Sequence, residues 1–188
     1  VTVSASEIRL AGNISANGTV TLNDPVLLTN TTVNAVTIEG STVSFNDVVT
    51  GTKALTVTGN AEFGANVGVG AGDTQTSLNV TGSTSLGGNI TTTGAQTFTG
   101  ATTLTGNRTL TGSGISLDAV TLNGHTLSVA EAGSGTIGGV ISNGSAAGDL
   151  TMSGAGTLTL TGTNTYTGAT TVSAGILQIG NGGATGTL

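Results

Sequence analysis

Carboxylates are the residues of this chain best suited to catalysis, and two pairs of them share one spacing. Asp24 lies as far from Asp47 as Glu39 lies from Glu62, so each pair would stack in a coil whose turns have this length. Glycoside hydrolases act through two carboxylates that face one substrate groove, which usually also offers aromatic rings to the sugar. This sequence has no Trp and one Tyr. We therefore predict no catalytic residue and no enzymatic activity.

His125 is the only histidine of the sequence and the next candidate for a general base or a metal ligand. It follows Asn123-Gly124, a dipeptide that is typical of tight turns. The neighbouring sequence supplies no partner that would complete a catalytic or metal-binding set. We predict a solvent-facing corner residue with neither role.

A glycine-rich segment at 68–73, with the sequence GVGAGD, loosely resembles the nonapeptide of calcium-binding β-rolls. Those proteins repeat the nonapeptide many times with Asp in register, and it occurs once here. A loop is the better interpretation of this segment. We predict no metal site and no cofactor.

The elements that carry these residues are indicated by an apolar residue that returns every six positions. A coil of short strands keeps such a period, because each turn repeats and stacks on the one before it. The pattern predicts an all-β fold, a parallel β-helix (β-solenoid) with about three short strands per turn, roughly 18–22 residues per turn and about nine turns. The periodic residues are Ile8, Ile14, Val20 and Val26, then Val43, Val49, Leu55, Ala61 and Val67, then Val80, Leu86, Thr92, Phe98, Leu104 and Leu110.

The period slips twice, once between Val26 and Val33 and once in the segment 68–76, which we predict to be a longer loop. Pro25 lies near the first slip and lacks a backbone donor, so we predict it at a corner or at the start of a strand. The stretch 130–148 is rich in Gly, Ala and Ser and is predicted to be irregular.

No linker divides the chain, and we predict a single β-solenoid domain over residues 1–188. The periodic pattern reaches both ends without a polar cap, which solenoids normally need for solubility. We therefore expect this sequence to be a fragment of a much larger exported protein.

Composition excludes several classes of partner. Charged residues make up 6% of the chain and the net charge is −6, with three Lys and Arg residues in all. Nucleic-acid binding needs clustered cationic side chains that displace counterions, and these are absent from the sequence. No apolar run approaches the ~20 residues of a membrane span. We predict no nucleic-acid partner and no membrane insertion by this segment.

Thr-x-Thr triplets raise the question of ice binding, which uses such triplets stacked on one flat face. Thr97, Thr103 and Thr109 recur every six residues, so in a three-sided coil they would lie on three successive faces. We interpret the threonines as strand formers, since their branched side chains fit a pleated surface.

Two stretches resemble repeats of bacterial proteins exported by type V secretion. Residues 7–129, with LAGNISANGTVTLNDPVLL and TSLGGNITTTGAQTFTGATTLTG, resemble the repeats of two-partner-secreted adhesins related to filamentous haemagglutinin. Residues 149–181 resemble the autotransporter-associated strand repeat, through Gly154-Ala155-Gly156, the Leu158/Leu160 pair and Asn164-Thr165-Tyr166-Thr167-Gly168. The resemblance implies a right-handed parallel β-helix that is exported through the Gram-negative envelope and displayed at the cell surface or secreted.

Two functional hypotheses follow from the fold and the resemblance. The first is a structural stalk or passenger segment of a bacterial cell-surface adhesin, in which other parts of the protein bind a host or bacterial surface ligand. The second is a subunit of an extracellular, biofilm-type filament that associates end to end, because uncapped solenoid ends expose unpaired strand edges.

Overall fold

The computed structural model describes residues 1–29, 34–69, 72–182 and 186–188, and these residues form strands and turns without a helix. Short strands pair in parallel with strands of the preceding and following turns, which gives a β-solenoid of about nine turns. The predicted all-β parallel β-solenoid is confirmed, and its right-handed sense stays a prediction. In the described ranges there is accordingly no helix with the length and hydrophobicity of a membrane span.

The strands are short, and most contain two to five residues. In chain order they are β1 (Thr2–Val3), β2 (Ile8–Leu10), β3 (Ile14–Ser15), β4 (Val20–Leu22), β5 (Val26–Leu28), β6 (Ala35–Phe45), β7 (Val49–Thr50), β8 (Ala54–Phe63), β9 (Leu78–Val80), β10 (Thr84–Leu86), β11 (Ile90–Thr91), β12 (Gln96–Phe98), β13 (Thr102–Leu104), β14 (Arg108–Gly112), β15 (Ile115–Leu117), β16 (Val120–Thr121), β17 (Thr126–Glu131), β18 (Ser134–Ile137), β19 (Ile141–Ser142), β20 (Asp149–Met152), β21 (Thr157–Leu160), β22 (Thr170–Val172) and β23 (Ile176–Ile179).

The strands lie on three faces, numbered here in the order in which the chain visits them from β2 onward. Face 1 contains β2, β5, β7, β11, β14, β17, β20 and β22, and Val67 bridges β7 to β11. Face 2 contains β3, the first halves of β6 and β8, and then β9, β12, β15, β18, β21 and β23. Face 3 contains β1, β4, the second halves of β6 and β8, and then β10, β13, β16 and β19.

The six-residue period places one apolar side chain on each face in succession. Ile8 lies on face 1, Ile14 on face 2 and Val20 on face 3, and Val26 returns to face 1 as the ladder partner of Ile8. Each buried Val, Ile or Leu contributes roughly 1.5–3 kcal/mol to folding. The inward column of face 1 consists of Ile8, Val26, Val49, Val67, Ile90, Leu110, Val129 and Met152, all buried.

The predicted spread of the threonine triplets is confirmed. Thr97 lies on face 2 in β12, Thr103 on face 3 in β13 and Thr109 on face 1 in β14. Successive triplets along the chain therefore do not build one flat face.

Turn length varies more than the sequence pattern predicts. Ile8 and Val26 are separated by 18 positions, as are Val1 and Thr19, whereas Asn13 and Thr37 are separated by 24. The upper limit of 22 residues was too low, because corner loops absorb additional residues without disturbing the ladders. Pro25 directly precedes β5, as predicted for a strand start, and its carbonyl accepts a hydrogen bond from the Ile8 N–H at 2.8 Å.

The two stretches predicted to be irregular differ in outcome. The described residues of 68–76 contain no strand apart from an isolated bridge at Gln75, as expected for a longer loop; Val33 and residues 70–71 lie outside the described ranges. The prediction for 130–148 was wrong, because it contains the end of β17 together with all of β18 and β19. Ladder partners on neighbouring turns define these strands, so weak local propensity does not prevent them.

A column of glycines forms the corner between faces 2 and 3. A Cβ atom placed on Gly59 would lie 1.8 Å from the Gly40 oxygen, and one on Gly82 would lie 2.5 Å from the carbonyl atoms of Gly59. Gly100 meets Gly82 in the same way, and Gly162 meets Gly139 further along. Where glycine lies on glycine, consecutive turns approach too closely for a side chain, whereas the turn between Gly100 and Gly139 has Asp118-Ala119 at this corner.

Asparagines hold the corner between faces 3 and 1. The Asn66 Oδ1 accepts the Asn89 N–H at 2.8 Å, and the Asn89 Oδ1 accepts the Thr109 N–H at 2.9 Å. The Asn107 Oδ1 likewise accepts the Thr126 N–H at 2.9 Å. Each amide thus satisfies a backbone donor on the following turn at a corner where the strand ladder is interrupted.

Candidate functional site

The loop that contains His125 is a tight turn, as predicted. Asn123 has φ 52° and Gly124 has φ 80°, and the His125 N–H donates to the Leu122 carbonyl at 3.0 Å, which matches a type I′ turn. His125 is half-buried rather than fully solvent-facing. In the part of the chain that the structure describes, no three His, Cys, Asp or Glu side chains are grouped so that they could hold a metal ion.

The first carboxylate pair occupies equivalent corners of two turns. Asp24 and Asp47 each precede by two residues the ladder partners Val26 and Val49. Each carboxylate accepts a backbone N–H bond at 2.7 Å. Their contacts are those of corner residues that satisfy the local backbone.

The second carboxylate pair does not stack, and that prediction was wrong. Glu39 is the ladder partner of Thr58 on face 2, whereas Glu62 lies on face 3 as the partner of Ser44. Ladder partners between β6 and β8 are fewer than twenty residues apart, so the sequence distance from Glu39 to Glu62 overshoots one turn and crosses a corner. The two carboxylates accept hydrogen bonds from different serines, Ser15 at 2.9 Å and Ser44 at 2.7 Å.

A shallow depression of about 290 Å³ lies on the outer side of face 3, across the turns that contain β6, β8, β10 and β13. Ladder register places Ser44, Glu62, Ser85 and Thr103 side by side on successive turns. Glu62 is the only charged residue of its lining, so the depression lacks the carboxylate pair of a glycosidase. We call it the face-3 depression; it is lined by Thr42, Asn60, Ala61, Glu62, Ser83, Thr84, Ser85 and Thr103.

A second group of polar residues lies inside the coil, at the corner between faces 1 and 2. Glu131 is fully buried, and its carboxylate accepts the N–H groups of Gly114, Ile115 and Gly133 at 2.6–2.7 Å. Gln96 is also fully buried, and its amide donates to a carbonyl at 2.7 Å. These side chains satisfy backbone groups inside the corner, where water is excluded. Their role is therefore structural, since no substrate reaches them.

The last turns use side chains where earlier turns use a strand. After β19, face 3 continues without a named strand in the described residues, apart from the bridge between Thr163 and Thr187. The Asn164 Oδ1 accepts the Ile141 N–H at 2.9 Å from the preceding turn, and its amide donates to the Thr187 carbonyl on the next. Asn164 therefore connects three consecutive turns. The nearby Tyr166 ring is buried and its hydroxyl bonds to Thr170.

The same segment contains a reciprocal pair of hydrogen bonds. The Asn143 Oδ1 accepts the Thr167 N–H at 2.9 Å, and the Asn143 amide donates to the Thr167 hydroxyl at 3.0 Å. The Asn-Thr-Tyr-Thr-Gly sequence at 164–168 thus adds side-chain contacts where face 3 has no strand, beside the bond from the Thr165 N–H to the Ile141 carbonyl at 2.9 Å.

A match to a known protein family includes this segment. Residues 150–179 match the family described as Passenger-associated-transport-repeat, which confirms the resemblance predicted for 149–181. The match and the β-solenoid fit an autotransporter passenger-type β-helical protein, a class that is typically non-catalytic, and they point to secretion. Comparison with curated proteins and with solved structures gave no significant match. The resemblance of residues 7–129 to haemagglutinin-type repeats stays a prediction.

Sequence reasoning missed the buried polar corner and the face-3 depression. The signal for Glu131 was present, because it continues the i, i+2 series of Leu127 and Val129, whose side chains point inward. The depression depends on the register between turns, and the sequence does not show which outward residues become neighbours.

Proposed function

We propose that this chain is a structural stalk or passenger segment of a bacterial cell-surface adhesin, without catalytic activity of its own. The unbroken face-2 ladder from β3 to β23 is the observation that carries the proposal. Each turn of a solenoid contacts only its neighbours, so stacking more turns adds length without creating an enclosed site. A host or bacterial surface ligand would be bound by other parts of the protein.

Export to the cell surface can be tested on intact bacteria that express the natural protein. Cells are treated with proteinase K and then probed with an antibody to this chain, with a periplasmic protein as the control. We expect the chain to be degraded while the control survives. A chain that is protected until the cells are lysed would contradict display at the surface.

The stalk role can be tested by single-molecule adhesion measurements. The isolated chain, tethered to a probe tip, should show no strong specific binding to host or bacterial surfaces, since its outer faces consist mainly of small hydroxyl residues. Strong specific adhesion by this segment alone would contradict a purely structural role.

A filament subunit is the second candidate, and the exposure of inward-facing residues on the last turn supports it. Val172 is the ladder partner of the buried Met152, yet its side chain is 48% exposed. Ile179, the partner of the buried Leu160, is 40% exposed. Such residues would be covered equally well by a further turn of the same polypeptide or by a second copy. Negative-stain images of the purified chain separate the candidates, because long uniform fibres favour the filament and short rods favour the stalk.

A further inference from the structure

We propose that the face-3 depression is a weak binding site for a neutral sugar ring, with Glu62 as its principal acceptor. The proposal does not depend on whether the chain acts as a stalk or as a filament subunit. It rests on the order of donors and acceptors that the ladder places on four consecutive turns.

Hydrogen bonds hold the polar groups of the depression in place before any ligand arrives. The Glu62 Oε2 accepts the Ser44 hydroxyl at 2.7 Å, which orients the carboxylate. The Asn60 Oδ1 accepts both the N–H and the hydroxyl of Ser83 at 3.0 Å, which orients the amide. A site whose side chains are already ordered loses less conformational entropy when it binds.

The polar groups of the depression that remain available to a ligand include both hydrogen-bond acceptors and hydrogen-bond donors. Within the described residues, the second oxygen of Glu62 accepts no hydrogen bond and the amide nitrogen of Asn60 donates none. Ser85 and Thr103 follow Glu62 in register on the next two turns, and each hydroxyl can donate or accept. Sugar hydroxyls are themselves both donors and acceptors, and adjacent turns are about 4.8 Å apart. One ring can therefore reach groups on two neighbouring turns.

The charge of the lining disfavours other classes of ligand. Phosphate and sulfate groups would meet Glu62 with no Lys or Arg in the lining to compensate, which repels them. A calcium ion takes six to eight oxygen ligands with several carboxylates, and the depression has one carboxylate. An aromatic ligand would find few apolar side chains to cover it.

The size of the depression limits the ligand and its affinity. About 290 Å³ is at the lower end of small-molecule sites and suits one ring rather than a long chain. No aromatic ring lines the depression, so the sugar gains little apolar contact. We expect a dissociation constant of about 1–10 mM, because most protein–sugar hydrogen bonds replace bonds to water.

The test is an NMR titration of the complete, isotope-labelled chain with defined probes. Maltose, cellobiose and lactose serve as neutral sugars, glucuronic acid as an anionic sugar, and lysine methyl ester as a cation. We expect at least one neutral sugar to shift the backbone amide signals of Asn60, Ser83, Ser85 and Thr103 in a saturable manner, and glucuronic acid to bind more weakly than that sugar.

Two matched variants identify the site. Glu62→Gln removes the charged acceptor and should weaken binding of the neutral sugar about tenfold, which is the lower end of what a hydrogen bond to a charged group contributes. Glu39→Gln is the control, because Glu39 is also exposed and also accepts one serine hydroxyl, but lies on face 2. It should leave binding unchanged.

Three outcomes would overturn the proposal. These are the absence of saturable shifts with every neutral sugar, equal weakening by Glu62→Gln and Glu39→Gln, or saturable binding of lysine methyl ester alone, which would indicate a cation site. Both variants alter exposed side chains, so the amide spectrum without ligand confirms that each is folded. None of these outcomes would affect the structural role proposed above.

Discussion

The early turns, residues 1–131, and the late turns, residues 132–188, are built on one axis but held together differently. Eleven of the twelve Asp, Glu, Lys and Arg residues belong to the early turns, and Asp149 is the only one in the late turns. The early turns have three strand ladders, whereas the last turns lose the strand of face 3 and use Asn164 in its place. The matched passenger repeat lies entirely in the late turns.

This difference shows that the parallel stack can be maintained in two ways. A ladder needs only backbone groups and tolerates many outward side chains, so the early turns vary in charge and carry the face-3 depression. Side-chain connections need particular residues at particular positions, so the late turns carry a recognisable motif.

Glu131 lies at the boundary between the two regions, and its loss should have the largest effect. Glu131→Leu leaves the N–H groups of Gly114, Ile115 and Gly133 without their acceptor. The Ile115 group is buried and the other two are partly buried, and a buried unpaired donor costs about 1–3 kcal/mol. We expect a loss of about 3–5 kcal/mol in the free energy of unfolding, measured by urea denaturation. Glu131→Gln keeps one oxygen and should lose less; a loss below about 1 kcal/mol on Glu131→Leu would show that the carboxylate bonds contribute little.

Close glycine-on-glycine contacts occur at the corner between faces 2 and 3 in both regions, on either side of Asp118-Ala119, and should respond alike in both. Gly82→Ala and Gly162→Ala each place a methyl group against backbone atoms of the preceding turn, and we expect about 1–3 kcal/mol of destabilisation. Gly18→Ala is the matched control at the start of the column, where nothing lies within 4 Å, and should change stability by less than about 0.5 kcal/mol. Thermal unfolding of the three variants checks this. An equal shift of the unfolding temperature in all three variants would contradict the close packing of glycines at this corner.

Asn164→Ala should show most clearly that the late turns can be destabilised while the early turns are unchanged. It removes the acceptor of the Ile141 N–H and the donor to Thr187, which we expect to cost about 1–3 kcal/mol within the late turns. Asn107→Ala removes one such bond in the early turns, and its effect should be smaller. Hydrogen exchange should accelerate at Ile141 in the first variant while amides of the early turns stay protected. Uniform acceleration along the chain would contradict this division.

Thr102→Val is expected to have the smallest effect, and it should stabilise. Thr102 is fully buried, and its hydroxyl has no hydrogen-bond partner in the described residues. A valine has the same shape and removes the free-energy cost of burying an unpaired hydroxyl. We expect the free energy of unfolding to rise by about 0.5–1 kcal/mol. Thr103→Val changes the adjacent outward side chain and should be neutral in the same urea measurement. A loss on Thr102→Val would indicate that an internal water bonds to the hydroxyl.

The fold was largely predictable because one physical rule generates it. A six-residue period with apolar side chains inside places Ile8, Ile14 and Val20 on successive faces, and this required no knowledge of neighbouring turns. The Asn123-Gly124 turn was predictable for the same reason, since it depends on local backbone preferences.

The details that failed depend on register between turns. The Glu39/Glu62 stack was wrong because β6 and β8 are joined by a shorter turn than the spacing implied. Strands β18 and β19 were missed because their partners, rather than their own residues, define them. The face-3 depression could not be predicted, since Glu62 and Ser85 become neighbours only through the ladder.

The central claim is that this chain is a stack of turns that provides length. Deletion of residues 84–101 joins Ser83 to Thr102, the ladder partner of Thr84, and so removes one whole turn in register while leaving the Glu131 contacts in place. Solution scattering should show a folded rod shorter by about 4.8 Å, the distance between hydrogen-bonded strands. An unfolded chain, or a folded chain of unchanged length, would contradict the account.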